Sequence, residues 1–193
     1  MSNSLKAVEN CLETCEILAI FLAKFCEEIL PEYFRSLPDK IDHCLYWSES
    51  DIKKLDDNIK SEVLRYKKDF QKHQQRVSRF FKIEEDNFRT AWVRLNTRTI
   101  YLPGRTSEKG LFEFFCYFLG KPSSRDASSN WTLAPFLDCL NHSSVARIKT
   151  DFHDGKFSIR TENKILRDSE VFISYGKHSD AFLLGNGLNI YVI

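Results

Sequence analysis

The spacing of apolar residues changes period part-way along this 193-residue chain, and that change limits the possible folds more than any other feature. Leu5, Val8, Leu12, Cys15, Ala19, Leu22, Cys26 and Ile29 recur at alternating steps of three and four, which puts them on one face of a helix. Ile52, Leu55, Ile59, Val63, Tyr66 and Phe70 repeat the pattern, as do Phe88, Ala91, Trp92 and Leu95 within residues 86–98. Later the period drops to two. Arg147-Ile148-Lys149-Thr150-Asp151-Phe152 and Lys156-Phe157-Ser158-Ile159-Arg160-Thr161 alternate apolar with polar about Asp154-Gly155. That alternation predicts a β-hairpin, and Val171 to Ser174 predicts one more strand. Helices first and strands later, with no internal repeat, predict an α+β protein.

Local signals refine the pattern. Ile17, Leu18, Ile20 and Phe21 widen the first stripe until the helix is nearly all apolar, so it must be covered on several sides. Pro31 is expected to stop it, because the residue before a proline is pushed out of the α region. Residues 31–47 are expected to be irregular. Ser48, with Asp51 three residues on, reads as the cap of the second helix, the acid lying near the positive end of its dipole. Residues 111–119 are apolar and fit either helix or strand, and residues 121–130 read as a surface loop.

Composition narrows the function. Lys and Arg total 28 against 27 Asp and Glu, a net charge of +1, so no global field draws the chain to nucleic acid or to an anionic membrane. The run from Ile17 to Cys26 holds Lys24 and is too short to cross a bilayer, for which roughly twenty apolar residues are needed. The N-terminus has no basic start or small-residue cleavage site of a secretory signal. Neither a nucleic-acid nor a membrane partner is therefore expected. Cys11, Cys15, Cys26, Cys44, Cys116 and Cys139 include no Cys-x-x-Cys pair and mostly sit in apolar runs. They read as reduced, mostly buried thiols of an intracellular protein, cytoplasmic or nuclear. Cys11 and Cys15 at helical spacing could hold a metal, but no second ligand pair accompanies them, and no metal site is expected.

Two short motifs carry the chemistry. Leu133-Ala134-Pro135-Phe136-Leu137-Asp138-Cys139-Leu140-Asn141-His142-Ser143 ends in a cluster of small polar side chains, and Glu170-Val171-Phe172-Ile173-Ser174-Tyr175-Gly176 is a β-type run ending in Tyr-Gly. Either could arise by chance. In this order, with Ser179, Leu183 and Leu184 downstream, they resemble the C-terminal half of a SET domain, the fold of protein-lysine methyltransferases that use S-adenosylmethionine. The branch that it resembles most contains the Rubisco large-subunit and ribosomal-protein lysine methyltransferases. The order of features matches from about residue 17 to about residue 184. The resemblance makes residues 1–98 a mostly helical segment like the family's insert, and residues 99–193 the C-terminal part of the SET core.

By that resemblance, Asn141 and His142 contact S-adenosylmethionine, Tyr175 is the catalytic tyrosine and also borders the cofactor, and Arg98 lies near it. The implied partner is a protein presenting a lysine, a ribosomal or other intracellular one, or a histidine as in some members. Read from the residues alone, Asn141 caps a turn, Tyr175 packs at a strand end, and Arg98 offsets a helix dipole. Trp131, Phe136 and Phe172 suit either a channel lining or, preferably, core packing. The family pattern is departed from in two places: no glycine precedes Gly104, where the family has a Gly-x-Gly strand pair ahead of the insert, and Gly185-Asn186-Gly187 follows Leu183-Leu184 in place of Tyr-Gly-Phe. A chain truncated at both ends is the expectation, and a noncatalytic interaction module is the alternative to an enzyme. The sequence carries no signal for an oligomeric state.

Overall fold

The computed structural model of the chain describes residues 12–101, 131–153 and 156–175. They fall into two units, one running to Thr99 and the other beginning at Ile100.

The first unit is helical. Helix α1 (Thr14–Lys24) starts with a reciprocal cap, in which the Glu13 N–H donates to Glu16 at 2.7 Å. Every residue from Glu16 to Leu22 is buried, as a helix apolar on nearly all sides requires. The expected single helix up to Pro31 is interrupted at Phe25 (φ −124°), after which α2 (Cys26–Ile29) ends at Leu30. Pro31 does end that helix, and it also starts α3 (Pro31–Ser36), where its fixed φ and missing N–H suit the first helical position. A 3-10 turn over Cys44–Tyr46 follows, capped by the His43 ring, which accepts from the Leu45 N–H at 3.1 Å. Residues 31–47 are thus more regular than expected, because proline and histidine each supply a start signal.

The second helical pattern divides in two. Helix α4 (Glu49–Lys53) carries the expected Ser48/Asp51 box. Helix α5 (Asp57–Ser78) restarts at Asp56, whose carboxylate accepts from the N–H groups of Asn58 and Ile59, each at 3.1 Å. On α5, Val63, Phe70 and Val77 are buried, and Tyr66 and His73 fall between them on the same stripe. Helix α6 (Glu85–Arg98) buries Phe88, Ala91, Trp92, Val93 and Leu95 and packs against α1. Ring centroids of Phe70 and Phe88 are 5.9 Å apart, and those of His73 and Trp92 are 4.5 Å apart. Each large side chain buried in this way contributes about 1.5–3 kcal/mol. Among the described residues, no helix is long and apolar enough to cross a membrane.

The second unit is built of short strands paired in twos. Strand β1 (Thr99–Tyr101) joins β2 (Trp131–Leu133), β3 (Asn141–His142) joins β6 (Phe172–Ile173), and β4 (Ile148–His153) joins β5 (Lys156–Thr161). The β4–β5 pair is the expected antiparallel hairpin, with Ile148 opposite Thr161 and His153 opposite Lys156. Its Asp154-Gly155 turn, residues 111–119, the loop at 121–130, Gly176, Ser179, Leu183 and Leu184 lie outside the described residues. Helices together with small sheets make the chain α+β.

Cys26 and Cys44 are buried and free, and burial pushes both thiols up to about 11. Cys139 is free but exposed, against the expectation of burial, because it closes a surface turn. Cys11 and Cys116 lie outside the described residues.

Candidate active site

The chain reaches β3 through two tight turns. Ala134 accepts from the Asp138 N–H at 3.1 Å, and a 3-10 turn over Leu137–Cys139 follows, in which Phe136 accepts from the Cys139 N–H at 3.3 Å. Phe136 has φ 79°, a left-handed conformation that costs a side chain of its size roughly 1–3 kcal/mol. The ring is 86% exposed, and Phe172 is 39% exposed. Core packing, the reading preferred from sequence, is therefore wrong for both within this unit. The backward turn at Phe136 directs one ring outward, and Phe172 sits on the open side of a two-stranded ribbon whose other side buries Ile173.

Strands β3 and β6 run parallel, with Asn141 opposite Phe172 and His142 opposite Ile173. Parallel neighbours need a long crossover, and the β4–β5 hairpin lies within it. The pairing continues one residue on, where the Ser143 N–H donates to Ile173 at 2.9 Å. This register brings the two polar motifs together.

Tyr175 is tied at two points. Its backbone N–H donates to Nδ1 of His142 at 3.1 Å, and its hydroxyl donates to the carbonyl oxygen of Leu140 at 2.6 Å. The His142 and Tyr175 rings lie 5.1 Å apart between centroids, inclined by 32°. Tyr175 thus holds both neighbours of Asn141. Because Nδ1 accepts, the neutral His142 ring carries its proton on Nε2.

Asn141 itself is exposed, and its amide nitrogen donates to Oε1 of Glu170 at 2.6 Å. A carboxylate can only accept, so this bond orients the amide and turns the Asn141 carbonyl oxygen the other way. Three of the four candidates, Asn141, His142 and Tyr175, are therefore neighbours. The fourth, Arg98, is the half-buried last residue of α6 in the helical unit, where its charge meets the negative end of that helix. Reasoning from sequence gave no role to Glu170 or to the Leu140 carbonyl. Glu170 is visible only as an acid opening a strand-like run, and a backbone acceptor leaves no mark in a sequence.

The parallel Asn-His and Phe-Ile strands, with Tyr175 folded back over them, bring the two polar motifs into one place, and the comparisons with known proteins find SET-domain proteins among the curated homologues. No protein-family profile matches it. It is 36% identical to SET domain-containing protein 4 of Mus musculus over 99 residues, covering 50% of this chain and 19% of that protein. The human protein of the same name is 35% identical over 92 residues, which is 47% of this chain and 18% of that protein. The Ribosomal lysine N-methyltransferase set11 of Schizosaccharomyces pombe is 25% identical over 181 residues, or 86% of this chain and 41% of that protein. The chain spans less than half the length of the curated relatives it matches.

Proposed function

We propose that the chain supplies one wall of a methyl-transfer site, built from Asn141, His142 and Tyr175 on a SET-type core, and that the protein methylates a lysine of an intracellular protein with S-adenosylmethionine as donor. The observation that supports this reading best is the double attachment of Tyr175 to His142 and Leu140.

The donor set fits the cofactor. The Asn141 carbonyl oxygen and the Glu170 carboxylate, which is bonded to the amide nitrogen of Asn141, are both acceptors of the type that suits the ammonium of an amino-acid moiety, which offers N–H donors and positive charge. When bound, S-adenosylmethionine supplies a methyl activated by a sulfonium. The chain's own residues then act by positioning, which for well-oriented reactants is worth about 7–11 kcal/mol. The Tyr175 hydroxyl donates a hydrogen bond to the Leu140 carbonyl, and a phenol oxygen that donates in this way is still of a type that can accept from an amine N–H. His142 fixes the tyrosine backbone, so that this oxygen keeps its place.

The test pairs calorimetry with transfer. The protein should bind S-adenosylmethionine and move labelled methyl to a protein in cell extract. Tyr175→Phe should bind within a few-fold of the parent and lose about a hundredfold in transfer rate, as when one preorganised polar group is removed from a reaction centre. Transfer at the parent rate in Tyr175→Phe would overturn the role given to that residue, and absence of cofactor binding would overturn the reading as a whole.

A further inference from the structure

A second constellation of reactive side chains lies in the helical unit, where the start of α1 meets the middle of α5. A carboxylate oxygen of Glu13, the Cys15 sulfur and a ring nitrogen of His73 lie within 4.8 Å of one another, the only such grouping among the described residues. Glu16, fully buried, accepts from Nδ1 of His73 at 2.8 Å. Arg76, one turn further along α5, reaches Oε1 of Glu13 at 2.6 Å and Oε1 of Glu16 at 3.3 Å.

We propose that Glu13, Cys15 and His73 form a Zn2+ site that pins the first turn of α1 to α5, with solvent in the fourth position. One sulfur, one imidazole nitrogen and one carboxylate oxygen are ligand types that zinc takes readily at near-tetrahedral angles. A carboxylate bonded to the imidazole is a usual companion of a ligating histidine, because it orients the ring, and the fully buried Glu16 is bonded to the His73 ring at Nδ1. Charge supports the same reading. Two carboxylates, Glu13 and Glu16, face one guanidinium, Arg76, so the cluster is rich in acceptors for a cation. On Zn2+ entry the Cys15 thiol would release its proton to solvent. Arg76 then gives up Glu13 and keeps Glu16, so the guanidinium stands in the metal's place when no metal is bound. Cys15 is half-buried and free, so its sulfur is available as a ligand.

The experiment uses the whole protein, stripped with chelator and titrated with Co2+ as a spectroscopic probe and then with Zn2+. One equivalent of Co2+ should give the visible bands of a tetrahedral site and a near-ultraviolet sulfur-to-cobalt band, both removed by Zn2+. Cys15→Ser and His73→Gln should each lose the sulfur band or the tetrahedral intensity. Arg76→Met, which removes the competing cation and keeps all three ligands, should bind Zn2+ more tightly than the parent. The proposal is overturned if the parent and Arg76→Met both lack the sulfur band, if the band survives Cys15→Ser, or if Arg76→Met binds Zn2+ no better than the parent. The parent and Arg76→Met measurements decide the matter even if a ligand variant fails to fold.

Discussion

Replacing His142 by alanine tests the tether on Tyr175 separately from the catalytic role proposed for that residue. The substitution removes the acceptor for the Tyr175 N–H, which is 3.1 Å from Nδ1, and the tilted ring whose centroid lies 5.1 Å from that of the phenol. Losing the partner of a part-buried N–H costs about 1–2 kcal/mol, and losing the ring contact about 0.5–1 kcal/mol more. The two act on one residue, so their sum, about 1.5–3 kcal/mol, should appear as easier local opening at Tyr175. Amide hydrogen exchange measures this directly. A change of 1.4 kcal/mol is tenfold, so exchange at Tyr175 should speed up by roughly ten- to a hundredfold. Amides of α5 and α6 should be unaffected. His142→Asn, which restores an oxygen acceptor on a shorter side chain, should recover part of the protection. Tyr175 exchange in His142→Ala within threefold of the parent would refute the idea that this ring anchors the tyrosine.

Other outcomes follow from the same physics. Glu16→Ala strands His73 and Arg76 beside a buried gap and should cost about 3 kcal/mol in urea unfolding, whereas Glu16→Gln, which keeps the bond to the Glu13 N–H, should cost less; a loss below 1 kcal/mol in Glu16→Ala would contradict the buried pairing. Asp56→Ala removes both hydrogen bonds at the start of α5 and should destabilise by about 1 kcal/mol, read by the same unfolding curve. The Asp51 carboxyl is held below its ordinary 3.8 by the Ser48 side-chain hydrogen bond and then the Ser48 backbone N–H. Its contribution is therefore complete above 3.8 and is lost as pH falls through the lower folded value. A carbon-detected titration should show that midpoint returning toward 3.8 in Ser48→Ala, and an unchanged midpoint would rule out the cap as its cause.

Much of the architecture is written in local pattern. The stripes of α1, α5 and α6, the Ser48/Asp51 cap and the β4–β5 hairpin all follow from the period of apolar residues and from side chains that bond within four residues of themselves. Such interactions act between near neighbours and need no knowledge of the rest of the chain. The breaks were harder to read. Asp56 restarts a helix inside what periodicity presents as one run, because a cap can override a continuous stripe. Phe136 was assigned to a core by its apolarity, whereas its outward aim follows from the left-handed turn that carries it.

The two functional clusters divide along the same line. Residue types and their order marked Asn141, His142 and Tyr175, but only the parallel register of β3 and β6 makes them neighbours, gives Asn141 its bond to Glu170, and bonds the phenol to the Leu140 carbonyl. Nothing in the spacing of Glu13 and Cys15 points to His73, 58 residues beyond Cys15 in the chain. Periodicity states which face of a helix is covered, whereas the identity of the covering group depends on the path of the whole chain. The sequence therefore determined the elements and the chemical vocabulary of this protein, and tertiary packing alone decided which words stand side by side.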